Sequence, residues 1–371
     1  MEKVRILFLI NSLGGGGAEK ALVNLINNLD DCKYDITVET MFDDGVNAKL
    51  LNNNINYVSK KAPCPKGISS FFKIIPSYFL YKFFINDCSY DILIAYMHGV
   101  PVKVICGNKK TKKIAWIHNG NPESSVMFTP WITKNFAFKR YDSCDSIVGV
   151  CNSVSDAFKD FTGIRDKVYT AYNTLDTDAI SKLALVNPDI IFDTSKINIC
   201  STGRLGREKG YSRLLDVCSY LKNDGFDFSL YLIGSGSEEN ALKNRADELG
   251  LNDNVVFLGF QDNPYKYVNK CDIFVCSSFT EGLSTATIEA LVLGKAIVST
   301  DVSGAYEILG DNEFGLVVDN SQDGIYKGLK TLMSDEELVK YYQKQAVEHR
   351  DVFSIENTVK EVERIIDCTL K

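Results

Sequence analysis

The sequence predicts an α/β protein made of two doubly wound, Rossmann-like domains that face each other across a cleft. Short apolar runs of strand length alternate with helical segments along nearly the whole chain. Glycine-containing loops follow the first strand of each half, at 11–17 and 202–210. The length of 371 residues suits two hydrophobic cores better than one.

Charge and composition separate the two halves. Residues 1–170 carry 21 basic and 16 acidic side chains, whereas residues 171–371 carry 20 and 32. We therefore place the first domain at 1–172, a linker at 173–195, the second domain at 196–353 and a separate amphipathic helix at 354–371. A basic first half and an acidic second half are typical of domains with different partners.

Composition also narrows the function classes. A hydrophobic content of 45% and a charged content of 24% are ordinary for a globular protein, and no apolar run is long enough to span a bilayer. The first apolar run reads as a strand rather than a signal peptide, so we expect a cytoplasmic protein. The eleven cysteines show no CxxC pair and are expected to be reduced. No nucleic-acid motif is present, and the three histidines lie far apart in sequence.

The first domain begins with a strand, a glycine loop and a helix. Gly14 to Gly17 would let the backbone approach a phosphate closely. As a dinucleotide fingerprint the loop is imperfect, because Glu19 replaces the third glycine, but Glu39 could imitate the acid that binds an adenosine ribose. Strands are expected at 4–10, 35–41, 53–58, 91–97, 114–117, 146–151 and 168–171, and helices at 18–29 and 154–161.

Two features of this domain point to ligands. His98 and, more strongly, His118 follow strands at the carboxyl edge of the sheet, where open parallel sheets bind their ligands. Residues 66–86 are crowded with aromatic side chains and punctuated by lysines. This segment fits either a peripheral membrane contact or a helix packed against the sheet.

The second domain repeats the alternation of strands and helices. Asp176 and Asp178 form a D-x-D triplet before it, which we interpret as a helix N-terminus rather than a metal site. Strands are expected at 197–201, 228–233, 255–258, 272–277, 296–299 and 316–318, and helices at 211–223, 236–249, 265–269, 285–293, 322–334 and 335–349.

Charged side chains and glycines follow several of these strands. The group consists of Arg204, Lys209, Gly234, Gly236, Glu281 and Glu289. A diphosphate needs cations and helix-start amides, and sugar hydroxyls suit carboxylate acceptors. These residue types therefore fit a nucleoside diphosphate-sugar as the ligand.

Several motifs together carry a family resemblance. They are GGGGAEK, WIHNG, YNTLD, GRLGREKG, LIGSGSEENAL, FLGF, the E-x7-E pair Glu281 and Glu289, and STDVSGAYEIL. Over nearly its whole length the chain resembles the retaining glycosyltransferases of the GT-B fold, family four, also called group 1, which build bacterial surface polysaccharides. The resemblance implies transfer of a hexose or N-acetylhexosamine from a UDP-sugar to a glycan or lipid-linked acceptor, at the inner face of the membrane. It also implies that no metal or cofactor takes part.

The resemblance further implies a role for each motif residue. Arg204 and Lys209 would bind the donor diphosphate, Glu289 the ribose and Glu281 the hexose hydroxyls. His118 would face the sugar near the reacting carbon, and the last helix would return to the first domain. The remaining donor contacts would come from the backbone of Gly15, Gly16, Gly17, Gly234, Gly236, Gly282, Leu283, Ser284 and Thr285.

Three alternatives stay open at this point. A nucleotide-sugar epimerase of the same fold would use a similar donor without an acceptor. An NAD-dependent oxidoreductase would rest on the glycine loop and Glu39. A non-catalytic scaffold would be expected to have lost Arg204, Lys209 or Glu281, and all three are present.

Overall fold

The computed structural model describes residues 2–42, 45–60, 72–85, 89–121 and 125–371. The chain forms two compact units. Unit 1 comprises residues 1–175 and 355–371, and unit 2 comprises residues 176–354. The segment expected to be a linker contains a helix, Thr177–Ala184, which packs within unit 2 against Tyr265–Val268.

Unit 1 is built on a parallel sheet with strand order β3-β2-β1-β4-β5-β6-β7. Its strands are β1 Val4–Ile10, β2 Tyr34–Thr40, β3 Asn56–Ser59, β4 Ile92–Ala95, β5 Lys112–Ile117, β6 Ser146–Gly149 and β7 Val168–Thr170. Phe8 in the central strand lies opposite Val38 and Ile94 and is fully buried. The continuous apolar runs seen in the sequence are explained by helices that cover both faces of such a sheet.

Helices of unit 1 flank this sheet. In the described residues they are α1 Gly17–Asn28, α2 Ser77–Phe84, α3 Val100–Ile105, α4 Ser125–Phe128, α5 Lys134–Asp142 and α6 Asn152–Thr162, with a short 3₁₀ turn Val46–Leu50. The sequence pattern predicted no helix at α3 or α5. Both are short, and α5 begins at an N-cap in which the Thr133 side chain accepts from Phe136 N at 3.2 Å.

The C-terminal helix, Ile355–Leu370, completes unit 1. It packs against α1 and β5. The hydroxyls of Thr369 and Ser146 are 2.7 Å apart in the core, and Lys33 pairs with Asp367 at 2.8 Å. The predicted return of the last helix to the first domain is therefore present in unit 1.

The aromatic segment 66–86 is described only from 72 to 85 and has two different faces. Phe72 is 6% exposed, and its ring lies 6.4 Å from that of Phe42 and 6.3 Å from that of Phe84. On the other face of α2, Phe79 is 61% exposed and Phe83 is 67% exposed. One face of the helix therefore belongs to the core, and the other presents aromatic rings to solvent.

Unit 2 has a second parallel sheet, with strand order β10-β9-β8-β11-β12-β13. Its strands are β8 Ile197–Thr202, β9 Phe228–Ile233, β10 Val255–Gly259, β11 Ile273–Cys276, β12 Ala296–Thr300 and β13 Leu316–Val318. Its helices are α7 Thr177–Ala184, α8 Tyr211–Asn223, α9 Glu239–Glu248, α10 Tyr265–Val268, α11 Thr285–Val292, α12 Ala305–Leu309, α13 Gln322–Met333 and α14 Glu336–His349, with 3₁₀ turns Arg207–Lys209 and Arg350–Phe353. The predicted strands of this unit are confirmed to within one residue at each end.

In both units the strand order reverses direction beside the first strand. The reversal lies between β1 and β4 in unit 1, and between β8 and β11 in unit 2. The loops that leave these neighbouring strands separate there and open a crevice at the carboxyl edge. The glycine loop at 11–17 follows β1, the loop with Arg204 and Lys209 follows β8, and Glu281 follows β11.

Candidate active site

Lys209 and Glu281 form an ion pair at the strand reversal of unit 2. Lys209 follows β8 and Glu281 follows β11, and Lys209 Nζ lies 2.7 Å from Glu281 Oε1. Ser278 Oγ donates to the same oxygen at 2.6 Å. Burial is the largest single influence on Lys209 and acts to lower its pKa, but the charge and the hydrogen bond of Glu281, with smaller effects of Cys276 and Glu208, together raise the pKa, so the ammonium stays charged at neutral pH.

The two loops are also joined through their backbones. Ser277 Oγ donates to Lys209 O at 2.9 Å, and Phe279 N donates to Glu208 O at 2.8 Å. Gly210 has a φ of +68°, and a Cβ there would lie 2.1 Å from Ser277 O. Only glycine allows this approach, which brings Lys209 within reach of Glu281.

Glu289 is held by a tyrosine that no sequence motif singled out. Tyr265 OH donates to Glu289 Oε1 at 2.8 Å, and the tyrosine is buried. Burial and the neighbouring carboxylate both raise the pKa of Tyr265, so the hydroxyl keeps its proton. Tyr265 lies 24 positions before its partner, and no local spacing connects the two.

Helix α11 begins at Thr285, between Glu281 and Glu289. Ser284 caps it, because its hydroxyl accepts from Thr287 N at 3.3 Å. Leu283 and Ser284 are buried, whereas Thr285 is half-buried. A helix start carries partial positive charge and favours an anion nearby.

Arg204 and the glycines that follow β9 are placed differently from this cluster. The Arg204 guanidinium is 74% exposed and pairs with Glu208 Oε1 at 2.7 Å. A Cβ on Gly234 would lie 2.0 Å from Gly203 O, and one on Gly236 would lie 2.4 Å from Leu205 O. These two glycines therefore allow the loop after β9 to pack against the loop that carries Arg204.

The histidines of unit 1 lie together after β4 and β5. His118 N donates to His98 Nδ1 at 3.5 Å, and the His118 ring lies 5.0 Å from that of Tyr96. Burial, with a smaller effect of His98, lowers the pKa of His118 to about 3. Burial lowers the pKa of His98 to about 4. Both rings are neutral at physiological pH, and His118 Nε2 is buried without a hydrogen-bond partner among the described residues.

The glycine loop of unit 1 is supported from a distant segment. The Asn47 side chain donates to Gly14 O, and a Cβ on Gly45 would lie 2.1 Å from Leu13 O. A Cβ on Gly16 would lie 2.3 Å from Glu19 Oε2. Gly17 begins α1, and the loop that includes Gly15 connects it to β1. Sequence reasoning missed Gly45 and Asn47 because they lie about thirty positions away.

The position of Glu39 argues against binding of a dinucleotide. It is 3% exposed, lies at 3.7 Å from Lys60, and burial raises its pKa to about 7. A core carboxyl group of this kind is enclosed by the protein and does not present both oxygens to a ribose.

The D-x-D triplet has the predicted capping role. Asp176 is the N-cap of α7, and its carboxylate accepts from Ala179 N at 2.8 Å. Among the described residues, the acidic or sulfur ligand atoms that converge closely belong to Asp30, Asp31 and Cys32. These three side chains are exposed and follow the C-terminal end of α1, the end opposite the glycine loop.

Comparison with known proteins identifies the family. The family model described as glycosyl transferases group 1 matches residues 187–349. A relative in Campylobacter jejuni, N-acetylgalactosamine-N,N'-diacetylbacillosaminyl-diphospho-undecaprenol 4-alpha-N-acetylgalactosaminyltransferase, is 30% identical over 93% of this chain and 94% of its own. A second relative from that organism, GalNAc-alpha-(1->4)-GalNAc-alpha-(1->3)-diNAcBac-PP-undecaprenol alpha-1,4-N-acetyl-D-galactosaminyltransferase, is 25% identical over 98% of each chain.

Solved structures agree on the fold. A glycosyltransferase from Rickettsia africae superposes with a TM-score of 0.79 at 18% identity and covers 100% of both chains. Anabaena HepE in complex with UDP superposes with a TM-score of 0.71 at 16% identity, covering 99% of this chain and 100% of its own. The fold is that of a GT-B glycosyltransferase.

The chain belongs to the group 1 glycosyltransferase family and is a glycosyltransferase. Neither the epimerase nor the oxidoreductase alternative is favoured by these matches.

Proposed function

We propose that the protein transfers an N-acetylhexosamine or hexose from a UDP-sugar to a lipid-linked saccharide, with retention, during assembly of a bacterial surface glycan. The observation that carries the donor part is the Lys209–Glu281–Ser278 cluster beside the start of α11. It combines a cation, a helix N-terminus and a carboxylate, which are the groups that a diphosphate-sugar needs.

The leaving group is the nucleoside diphosphate. As the bond to the anomeric carbon breaks, negative charge grows on the departing phosphate oxygen. Lys209, charged and already oriented by Glu281, offsets that charge together with Arg204. Arg204 is exposed and pairs within its own loop, so it exchanges Glu208 for phosphate when the donor arrives. The amides of Gly282 to Thr285 cradle the distal phosphate and sugar, and the loops at Gly234 and Gly236 border this site.

The two carboxylates hold hydroxyl groups. Glu281 already accepts two hydrogen bonds at Oε1, so its second oxygen receives a hexose hydroxyl. A carboxylate engaged by an ammonium and a hydroxyl is better suited to orient the sugar than to attack it. Glu289, fixed by Tyr265, receives the ribose hydroxyls. The acceptor oxygen bonds to the anomeric carbon on the face from which the diphosphate departs, and its proton passes to the leaving phosphate oxygen, so the configuration is retained.

Unit 1 receives the acceptor. His118 is neutral, so it offers the acceptor a hydrogen-bonding group and not a cation. No metal or other cofactor takes part in this scheme, since Lys209, Arg204 and the helix start provide the positive charge.

The Campylobacter relatives support the acceptor class, because their names describe transfer onto saccharides linked to undecaprenol by a diphosphate. Such an acceptor is anchored in a bilayer. No helix in the described part of this chain has the length and apolar character to cross one. We therefore propose that the enzyme works from the cytoplasmic side and contacts the membrane peripherally.

The proposed membrane contact is called the membrane face of unit 1, and we define it by the exposed side chains within residues 73–83 and 132–139. Ile74 and Ile132 are both 73% exposed. The buried ammonium of Lys103 ties the two segments together, since it donates to Phe72 O at 2.6 Å and to Pro130 O at 2.9 Å. The face also carries the apolar side chains Tyr78, Phe79, Phe83 and Phe136 and the cations Lys73, Lys82, Lys134 and Lys139.

This combination of exposed aromatic rings and lysines fits an anionic bilayer as the partner. Aromatic rings enter the interface between headgroups and acyl chains, and lysines near the surface each add about 1 kcal/mol toward anionic lipid. We expect the purified protein to float with vesicles of phosphatidylglycerol and phosphatidylcholine, and less with phosphatidylcholine alone. Phe79→Ser with Phe83→Ser should abolish flotation, whereas substitution of an exposed aromatic residue of unit 2, Tyr341→Ser, should not. Unchanged flotation of the double variant would mean that this face does not contact the membrane.

The transfer itself is tested with the wild-type protein. We expect UDP and one UDP-N-acetylhexosamine or UDP-hexose to raise the melting temperature, because a ligand that binds the folded state stabilises it. Incubation of that donor with undecaprenyl-diphosphate-linked saccharides should give an α-linked product by NMR. Isomerised donor without an acceptor would point to an epimerase instead.

Lys209→Ala combined with Glu289→Ala tests the site assignment. The double variant loses a diphosphate cation and a ribose acceptor, so transfer of labelled sugar should fall below detection. Lys222→Ala, an exposed lysine whose Nζ donates to Gly250 O, is the control. Transfer by the double variant at the wild-type rate would contradict the assignment.

A further inference from the structure

A buried arginine lies directly beneath the loop that carries Glu281. Arg213 lies in α8 and is 8% exposed. Its Nε donates to Ser277 O at 3.0 Å, and its Nη2 donates to Ser277 O and Ser278 O, each at 2.7 Å. One guanidinium thus fixes two consecutive carbonyl groups of the loop, just before the residues that contact Lys209.

The same guanidinium reaches the loop after β13. Its Nη2 also donates to Asn320 Oδ1 at 2.7 Å. The Asn320 side-chain amide in turn donates to Phe279 O at 3.0 Å and to Asp301 O at 3.2 Å. The Phe279 ring lies over the guanidinium, with its centroid 3.8 Å from Cζ. Residues 277–279 are therefore held from below by one cation and by the asparagine bound to it.

The hydrogen bonds of this guanidinium in the described structure go to carbonyl oxygens of the backbone and of Asn320. Burying a charge is costly unless it is fully hydrogen-bonded. An apolar residue would fill the same space without that cost, but it would fix no carbonyl group. The arrangement is therefore suited to defining one loop conformation.

We propose that Arg213 is a positioning residue for transfer: it fixes the 277–279 backbone so that Ser278 and Glu281 hold Lys209 at the donor diphosphate. The proposal rests on the function proposed above. Ser278 connects the two layers, because its carbonyl oxygen accepts from Arg213 while its hydroxyl donates to Glu281. The positive charge of Arg213 also lies under the site and favours an anionic donor.

The test compares two buried cations in unit 2. Lys295 is 7% exposed, and its Nζ donates to Asn269 O at 2.9 Å and Cys271 O at 3.0 Å, at the amino ends of β11 and β12. Arg213→Met and Lys295→Met should both lower the melting temperature. Only Arg213→Met should lower kcat and raise the donor KM, with kcat/KM reduced on the order of 100-fold when loop geometry is lost. Arg213→Lys keeps the charge without the planar fork, so its kcat/KM should lie between the wild-type and Arg213→Met values.

Chemical rescue separates positioning from general stability. Millimolar guanidinium should restore part of the activity of Arg213→Ala, whereas methylammonium should restore less. A variant that is merely destabilised would not respond in this order. If Arg213→Met keeps kcat/KM within twofold of wild type while Lys295→Met behaves in the same way, the positioning role is wrong.

Hydrogen exchange tests the positioning without reference to catalysis. The Phe279 amide donates to Glu208 O and should be protected in the wild type. Faster exchange across 277–283 in Arg213→Met, but not in Lys295→Met, supports the positioning role, and equal exchange contradicts it. If the wild type binds no UDP-sugar and this difference still appears, then the proposed function fails while the structural role of Arg213 stands.

Discussion

The polar side chains at the carboxyl edges of the two sheets are arranged in opposite ways. In unit 2 the charged groups already have hydrogen-bond partners: Lys209 donates to Glu281, and the neutral hydroxyl of Tyr265 donates to Glu289. In unit 1 the corresponding edge holds neutral histidine rings, and the buried His118 Nε2 has no hydrogen-bond partner in the described residues. One edge is organised in advance for a charged ligand, and the other presents a polar atom within an apolar setting.

The difference matches what each unit is proposed to bind. Preorganised charges are worth most where charge develops during the reaction, and the leaving diphosphate is such a place. An acceptor sugar has no formal charge and needs shape and hydrogen bonds instead. Four sets of substitutions probe this contrast between the two edges, and their expected effects become progressively weaker.

Removal of the ion pair should have the largest effect. Lys209→Met should lower kcat/KM by roughly 100- to 1,000-fold, as loss of one preorganised donor does in other enzymes. Glu281→Gln should cost a similar factor. Because both side chains act as one unit, the double variant should lose little more than the worse single variant. Additive losses measured by steady-state kinetics would mean that the two groups act separately.

Loss of the hydroxyl that fixes Glu289 should weaken donor binding. Tyr265→Phe should raise the dissociation constant of UDP about tenfold, since a hydrogen bond to a charged group contributes about 1.5–3 kcal/mol. kcat should change little. Tyr267→Phe is the matched control, because that buried hydroxyl bonds to Gln261 and Asp189. If titration calorimetry gives equal UDP affinities for the two variants, Glu289 does not bind the ribose.

The histidines of unit 1 should make its stability sensitive to acid. The pKa values of His98 and His118 are lowered to about 4 and about 3, so the unfolded chain takes up protons below about pH 6.5 that the folded chain does not. Their contribution to stability is complete above that pH and falls toward pH 4, by up to about 1.4 kcal/mol per pH unit for each histidine.

Tryptophan fluorescence can follow this effect in unit 1 alone, because both tryptophans, Trp116 and Trp131, belong to it. Glu39 of the same unit acts in the opposite direction, because its pKa is raised to about 7 and it adds stability as the pH falls below that value. Two histidines outweigh one carboxyl group, so urea unfolding at about pH 6, 5.5 and 5 should give a falling free energy of unfolding. The double variant His98→Gln and His118→Gln should flatten the slope. A slope that is unchanged would show that other groups control the acid sensitivity.

The smallest effect is expected from two matched helix caps. Thr133 caps α5 in unit 1 and Ser284 caps α11 in unit 2, with similar distances of 3.2 Å and 3.3 Å. Either substitution by alanine should cost about 1 kcal/mol of stability. Ser284→Ala should also raise the donor KM a few-fold, whereas Thr133→Ala should leave it unchanged. Equal effects of the two substitutions on the donor KM would mean that the start of α11 is not part of the donor site.

The elements that sequence could predict are those with a local cause. β9 and α8 lie at the predicted residues because their apolar periodicity and flanking glycines are read over a few positions. Lys209 and Glu281 were predicted as site residues for a local reason too, because each belongs to a short motif. The helix α7 fell in a stretch taken as a linker, since only its Asp176 cap marks it locally.

The missing parts of the site depend on contacts between distant positions. Arg213 bonds to residues 64, 65 and 107 positions away. Tyr265 finds Glu289, and Asn47 finds Gly14, only after the sheet has brought their loops together. The burial of Glu39 was not predictable for the same reason, because its position at a strand end says nothing about the side chains that later cover it.

Because the C-terminal helix belongs to unit 1, the two units are completed at different times during synthesis. Unit 2 occupies one uninterrupted stretch, 176–354, so every residue of it has been made before the C-terminal helix. Unit 1 is begun first, yet the buried contact of Ser146 with Thr369 forms only after translation has passed residue 369. On the ribosome the unit that starts first is therefore the last to be finished, and the parts of α1 and β5 that the C-terminal helix covers stay exposed until that helix has been made.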